Sequence, residues 1–464
     1  MPLRCAVSLL AAVTLLLTVA PPFPVRADTP TPTPVRMDPQ TLVGKSGFFR
    51  VGKSVTGKWW FVDPDGKPFF FRGVTSVSQD GWQTRRPDGS SYDQLVAKKY
   101  GAAFAKASID RLRGWGFNAL GGFSGQEMWD QGMPYTILLN FAKDEKSPKI
   151  NGTFLPDVFD PAWTRRMNEI AATVCAPRKN SRLLVGYFTD NELGWAQARS
   201  EERPLVFDPS ESTLRDAGRP SLLQLCLSLP DDRPASRAAW EFVLARHQGD
   251  IARVAGDWGV PTLDSKARLP EWTAAKKAIL SPGYLADDEA FSKVFAERYF
   301  RLTTEAIRRE DTHHLILGCR FGAPPGPAVL AAVQSRWVDV VSANNYRDTF
   351  YERMDIYARG TGLPVLNTEF AWVTDYFTKA RGAGGAVTGD PSVSRMLEKG
   401  RAALEKAIRH PQLVGFTWYR WVDKADFVPP ISYGLVSVAD EPNTVHLGIL
   451  EGVNAQADAL HQQP

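Results

Sequence analysis

Histidine and cysteine are scarce, with 6 and 4 residues in a chain of 464. Cys5 lies in the N-terminal apolar run, which leaves Cys175, Cys226 and Cys319, an odd number that cannot all pair, so a disulfide framework is not expected. Their spacing does not fit a zinc site, and they read as small buried hydrophobes. No His/Asp/Glu cluster has metal-ligand spacing, and no serine sits in a G-x-S-x-G elbow. A G-x-G-x-x-G phosphate loop is also missing. "RGAGGAVTG" (Arg381 to Gly389) is glycine-rich, but it follows the seventh apolar run and reads as a mobile loop. Neither a metal nor a cofactor is therefore expected. Charge of one sign is not concentrated anywhere: 55 Lys plus Arg face 51 Asp plus Glu, spread along the chain. A nucleic-acid or membrane-surface role has no electrostatic support.

Long apolar runs are missing except at the start, "MPLRCAVSLLAAVTLLLTVAPPFPVRADTPTPTPVR". Arg4, the apolar stretch Cys5 to Ala20, and Val25 and Ala27 at cleavage-compatible positions predict a bacterial-type signal peptide over 1–27. The protein would then be secreted or periplasmic, with no stable membrane span after cleavage. An uncleaved anchor is the alternative, although the run is short for a bilayer span of about 20 residues. A Pro/Thr-rich linker over 28–46 reads as a stiff spacer.

What the chain does have is a series of short apolar runs bounded by Gly, Asn, Asp or Pro. They are "PFFFRGVTSV", "GFNALGGF", "PYTILLNF", "RLLVGYFTDNE", "HHLILGCRFG", "VDVVSANNY", "PVLNTEF" and "LVGFTWYRW". Runs apolar on both faces suit a parallel sheet covered by helices, and helix-like segments such as "SVSRMLEKGRAALEKAIRH" lie between many of them. The pattern predicts an α/β fold, a (β/α)8 TIM barrel over 47–464. A doubly wound open sheet also alternates in this way. Ahead of the first run, "DPDG" inside "KWWFVDPDGKPFFFRGV" predicts a short N-terminal hairpin. One connection, 193–311, is far longer than the rest and strongly helical, which predicts an insertion after the fourth strand beside the barrel mouth.

In a parallel barrel, reacting groups stand where the strands end. Glu192 ends the fourth run and Glu369 the seventh. Glycosidic cleavage needs two carboxyl groups, about 5 to 5.5 Å apart in retaining enzymes, with different protonation states at one pH. Tyr346, ending the sixth run, is placed to keep Glu369 ionised, and Asn191 to bind the hydroxyl beside the reacting carbon. Sugar rings stack on aromatic faces, which makes Trp82, Trp129, Trp195, Trp372 and Trp418 candidates at the mouth. His313 and His314 open the fifth run, at the far end, and read as structural.

The set "DNE", "NNY", "NTEF" and "FTWYRW" resembles the clan of retaining (β/α)8-barrel glycosidases, clan A. "GKWWFVDPDGKPFFFRGV", "GYFTDNELGW" and "LGCRFG" are similar to the agarase family, glycoside hydrolase family 50, over about Gly47 to Trp421. The resemblance implies Glu192 as acid/base, Glu369 as nucleophile, Asn191 on the 2-hydroxyl, Tyr346 on the nucleophile and Trp418 as platform. Asn344 and Arg72 are further pocket candidates, and Arg320 a weaker one. It also implies a secreted β-glycosidase for a β-linked, agarose-like galactan polysaccharide or its oligosaccharides. No sugar-binding module is recognised beside the barrel in this sequence, a departure from agarases that carry one, so binding to a polymer is not expected on that ground. A catalytically inactive carbohydrate-binding protein on the same barrel is the alternative, and a surface protein without a sugar ligand is a third reading. The exact sugar, exo against endo cleavage and oligomeric state are not encoded in spacing.

Overall fold

The computed structural model describes residues 34–464 except 87, 152, 196–220, 261, 267–278, 280, 335–336, 374, 379–392 and 424–432. The expected signal peptide, most of the linker and the glycine-rich loop at 381–389 lie outside the described residues.

Each of the eight apolar runs contains one strand of a closed barrel. In chain order after the N-terminal strands β1 to β3 they are β4 (Phe71–Val74), β5 (Ala119–Leu120), β6 (Tyr135–Leu138), β7 (Leu184–Asn191), β8 (Leu315–Phe321), β9 (Val341–Asn344), β10 (Val365–Glu369) and β11 (Leu413–Trp418). All neighbouring pairs are parallel, and β11 closes onto β4. From β7 to β11 every residue is buried, because one face fills the lumen and the other meets helices. The open doubly wound sheet is thereby excluded.

The N-terminal hairpin is a three-stranded antiparallel sheet, β1 (Arg50–Lys53), β2 (Trp59–Val62) and β3 (Pro68–Phe69). "DPDG" makes the β2 to β3 turn: Asp63 accepts the amides of Asp65 and Lys67, and Gly66 adopts φ 87°. Phe49, Val51 and Phe61 share one apolar cluster with Phe71, Val185, Leu315, Leu366 and Val414, all at or near the starts of barrel strands. The sheet thus plugs the N-terminal end, and the C-terminal end is left for ligands. The last part of the expected linker also folds here: Val43 exchanges two backbone hydrogen bonds with Val51, so residues from Val35 onward belong to the folded unit.

Within 193–311 the described elements are helices Leu222–Leu227, Pro234–Arg246, Ile251–Trp258 and Pro282–Glu310. The 29-residue helix is the barrel's own fourth crossover helix and not part of an added subdomain. Its Tyr299 stacks on Trp163 of the preceding crossover helix Pro161–Val174 at 5.8 Å. The three shorter helices sit on its first half, where Asp287 accepts from Arg246 and Trp258 and Asp288 from the Leu223 amide. They also reach the barrel's C-terminal side, since Asp157, beyond β6, accepts the Ala235 amide at 3.2 Å.

Candidate active site

The rim of the barrel is built by backbone that departs from extended geometry. Ser76, Phe123, Asn140 and Glu192 each lie just beyond one of four successive strands, β4 to β7, and all have positive φ, from 48° to 64°. At the end of β7 the turn is anchored from both sides. The Glu192 amide donates to the Arg320 carbonyl on β8, at 2.8 Å, while the buried Asp190 carboxylate accepts the Ala142 amide and the Tyr299 hydroxyl, each at 2.7 Å. Glu192 itself is exposed, and Gly322 opposite leaves it room, since a Cβ there would stand 3.0 Å from its Cγ.

Asn344, the last residue of β9, joins the pieces. Its Nδ2 donates to Glu192 Oε1 at 2.7 Å and to Asn191 Oδ1 at 3.2 Å. Thr368 Oγ1 donates to its Oδ1 at 2.7 Å.

Glu369 ends β10 and is only 5% exposed. Arg320 Nη2 donates to its Oε1 at 2.8 Å, and the Tyr346 hydroxyl donates to its Oε2 at 2.5 Å. Burial pushes the Glu369 carboxyl above the ordinary carboxylate range. The Arg320 guanidinium pulls it back, the facing Glu192 charge pushes it up again, and the bonds from Tyr346 and Arg320 favour the ionised form. Burial, followed by the charge of Glu369, holds Tyr346 well above the usual phenol value, so it remains a donor.

Asn191, Glu192, Asn344, Tyr346 and Glu369 therefore converge at the carboxyl end of the barrel. Two expected pocket residues do not join them. Trp418 has no exposed surface: its ring meets Trp372 at 4.6 Å and His446 at 5.2 Å, and its indole N–H donates to the Tyr433 carbonyl. It is packed between barrel and helices and offers no face to a sugar. Arg72 points the other way along its strand and pairs with Asp458 of the C-terminal helix Thr444–Gln462 at 2.7 Å.

The residues that occupy those places were underrated or missed. Arg320, the weaker candidate, holds Glu369. Tyr419, next to Trp418, stands 5.8 Å from the Tyr346 ring, half-buried; burial raises its phenol, with further upward pushes from the charges of Glu369 and Glu192. Of the other tryptophans, Trp372 and Trp195 are buried, and Trp129 stacks on Tyr135 at the N-terminal end of β6. Trp82 alone of the five is exposed, on the loop after β4. His313 and His314 lie at the N-terminal end, where His314 bridges Asp311 and the Ser181 carbonyl.

At or near the carboxyl ends of β4, β8, β9 and β10, Thr75 Oγ1, Ser76 Oγ, Arg320 Nε and Nη1, Asn345 Oδ1 and Asn367 Oδ1 are buried with no hydrogen-bond partner among the described residues. Such atoms are rare in folded proteins, and their gathering at one end of the barrel is typical of a site that takes water or ligand. Among the described residues no group of His, Cys, Asp or Glu could hold a metal ion, and no helix is long and apolar enough to cross a membrane.

No family model matches the chain. It is similar to Beta-agarase A of Vibrio sp. (strain JT0107), 24% identical over 469 residues, covering 86% of this chain and 44% of that protein. Beta-agarase B of the same strain is 21% identical, covering 86% of this chain and 47% of its own length. The chain thus spans less than half the length of these relatives. A solved structure described as an exo-beta-agarase superimposes with a TM-score of 0.71 at 20% identity, covering 93% of this chain and 68% of that one. At such identities the structural likeness establishes the barrel fold.

Proposed function

We propose that the protein is an exported retaining β-glycosidase of the clan A type, hydrolysing β-linked, agarose-like galactan or its oligosaccharides. The observation that carries the reading is the pair of carboxylates raised by the fourth and seventh barrel strands into unlike surroundings. Glu369 is buried and held by Arg320 and Tyr346; Glu192 is exposed and held by Asn344. The similarity to two proteins named as beta-agarases supports the substrate class.

A carboxylate fixed by two donors loses little further freedom on attack, which suits Glu369 to bond formation at the anomeric carbon. As that bond forms and the glycosidic C–O bond breaks, Glu192 gives its proton to the departing oxygen. The ionised Glu192 then takes a proton from water, whose oxygen attacks the same carbon and releases Glu369. Arg320 and Tyr346 carry no proton across; they stabilise the carboxylate that leaves. Asn191, tied to Asn344, is placed for a sugar hydroxyl near the reacting carbon. A binding protein without catalysis would have no use for so constrained a buried carboxylate.

The test is proton NMR of the first product formed from agarose oligosaccharides. A β-anomer supports double displacement; an α-anomer means single displacement with a water between the carboxylates, and the nucleophile role falls. In parallel, Glu369→Ala should abolish turnover, whereas Glu192→Ala should retain activity on an aryl glycoside with a good leaving group once azide is added, giving the β-glycosyl azide. Wild-type activity in both variants would place the chemistry elsewhere.

A further inference from the structure

Glu192 sits in a turn that its own backbone does not favour. Its φ is 48°, and left-handed backbone at a residue other than glycine persists only where the surroundings hold it. The side chain is exposed, so burial of the glutamate does not supply that hold. The chain on either side of it does.

Both flanks meet one side chain, the wholly buried Tyr299 of the crossover helix Pro282–Glu310. Two residues before Glu192, the Asp190 carboxylate accepts the Tyr299 hydroxyl at 2.7 Å, and Thr189 Oγ1 stands 2.9 Å from the same hydroxyl. Three residues after Glu192, the buried Trp195 ring meets the Tyr299 ring edge to face at 5.4 Å and stacks on Phe300, the next residue of the helix, at 5.8 Å. Between them Gly194, with φ 63°, takes the second left-handed step of the turn. Tyr299 is fixed in its own right by its stack on Trp163. Burial, followed by the charge of Asp190, holds its phenol well above the usual value, so it stays a donor. Glu192 is therefore the tip of a turn whose two ends rest on one tyrosine.

We propose that Tyr299 is a positioning residue for Glu192: it touches no reacting atom, and by holding Asp190 and Trp195 together it fixes where the Glu192 carboxyl stands. The inference rests on the glycosidase reading and deepens it, naming a residue on a helix outside the barrel lumen that the proton transfer depends on. An acid must stand within hydrogen-bond reach of the oxygen it protonates, and a displaced acid costs most where the leaving group most needs the proton. Loss of Tyr299 contacts should thus be felt in proportion to the basicity of the leaving group, which a general loss of stability would not produce.

The experiment measures kcat/KM, which reports the steps through cleavage of the glycosidic bond, on agarose oligosaccharides and on a series of aryl β-galactosides with phenols of increasing pKa. The variants are Tyr299→Phe, which keeps the ring and removes the hydroxyl, and Tyr187→Phe as control. Tyr187 lies on the same strand, and its buried hydroxyl donates to Asp311 at 2.7 Å at the opposite end of the barrel. For Tyr299→Phe the proposal expects a loss on the order of tenfold on the oligosaccharides, less than twofold on the most acidic phenol, and a steeper dependence on leaving-group pKa between them. Tyr187→Phe should keep the wild-type slope. An equal loss across the series, no loss at all, or the same steepening in Tyr187→Phe would overturn the proposal. If thermal melts show Tyr299→Phe unfolded at the assay temperature, the slope is read on Trp195→Phe, which loosens the other end of the turn, with the same outcomes deciding. If the wild type cleaves no member of either set, the glycosidase reading fails by itself. Hydrogen exchange of the 189–195 amides then decides the positioning: exchange on the order of tenfold faster in Tyr299→Phe but not in Tyr187→Phe retains it, and unchanged exchange removes it.

Discussion

Asp190, two residues before Glu192, offers a test of the physical reasoning that needs no substrate. Its carboxyl is wholly buried, and burial raises it to about 7 from 3.8, although the Tyr299 hydroxyl and the Ala142 amide pull the other way. Because the folded value exceeds the unfolded one, the native state binds the proton more tightly. Stability is therefore unaffected below about pH 4, falls as pH rises toward 7, and carries the whole cost above that. Roughly 3 units at about 1.4 kcal/mol each amount to roughly 4 kcal/mol. Asp190→Asn has nearly the same shape and carries no charge. Its Oδ1 can still accept the Ala142 amide, and its Nδ2 can donate to the Tyr299 oxygen, which turns its own proton to Thr189 Oγ1, 2.9 Å away. Urea unfolding at pH 8 should find the variant more stable than wild type by roughly 3 to 4 kcal/mol, and at pH 4 by less than about 1. A variant less stable at pH 8, or a difference independent of pH, would refute the account of this carboxyl as a charge held against its burial.

Two further outcomes follow from the site. Arg320→Met removes the charge that favours ionised Glu369, so the acidic limb of the kcat/KM profile should move up by about a unit or more, with activity at neutral pH down on the order of a hundredfold; an unmoved limb would detach Arg320 from the ionisation of Glu369. Trp418→Phe should cost roughly 2 kcal/mol in chemical denaturation, through lost packing and the lost indole bond, while KM changes less than about threefold; a large KM change with intact stability would restore the platform role.

The barrel was legible because its strands lie in short apolar runs, most of them buried on both faces, a pattern that residue identity reveals without side-chain direction. Glu192 and Glu369 were legible for a related reason: the end of a strand reaches the rim whichever way its side chains alternate. Asn344, tied to Glu192 by its amide, and Tyr346, on Glu369, lie at the end of β9, the strand beside β10, and shared that advantage. The insertion was harder, since a helix that completes the barrel and one that decorates it carry the same apolar stripe, and only packing against Trp163 tells them apart.

Arg320 and Trp418 failed for a single reason, the phase of alternation along a strand. In β8, Leu315 and Leu317 belong to the lumen cluster, so strict alternation would turn Cys319 inward and Arg320 outward. Gly318 has φ 67°, and the pairing with β7 shifts register beside it; Cys319 joins the outer cluster and Arg320 swings in to Glu369. In β11, Val414 faces the lumen, and strict alternation would bring Phe416 and Trp418 inward as well. The pairing with β10 skips a residue before Gly415, and both side chains are found in the outer cluster. That shift leaves Tyr419, one residue further on, to stand beside Tyr346. A one-residue slip moves every later side chain to the opposite face. Each slip is marked in the sequence by a glycine inside an apolar run, "LILGCRF" and "LVGFTW". A glycine in such a run signals a bulge or a close backbone approach. Read as a phase change, it would have exchanged Trp418 for Tyr419 and raised Arg320 above Arg72 before any coordinates were known.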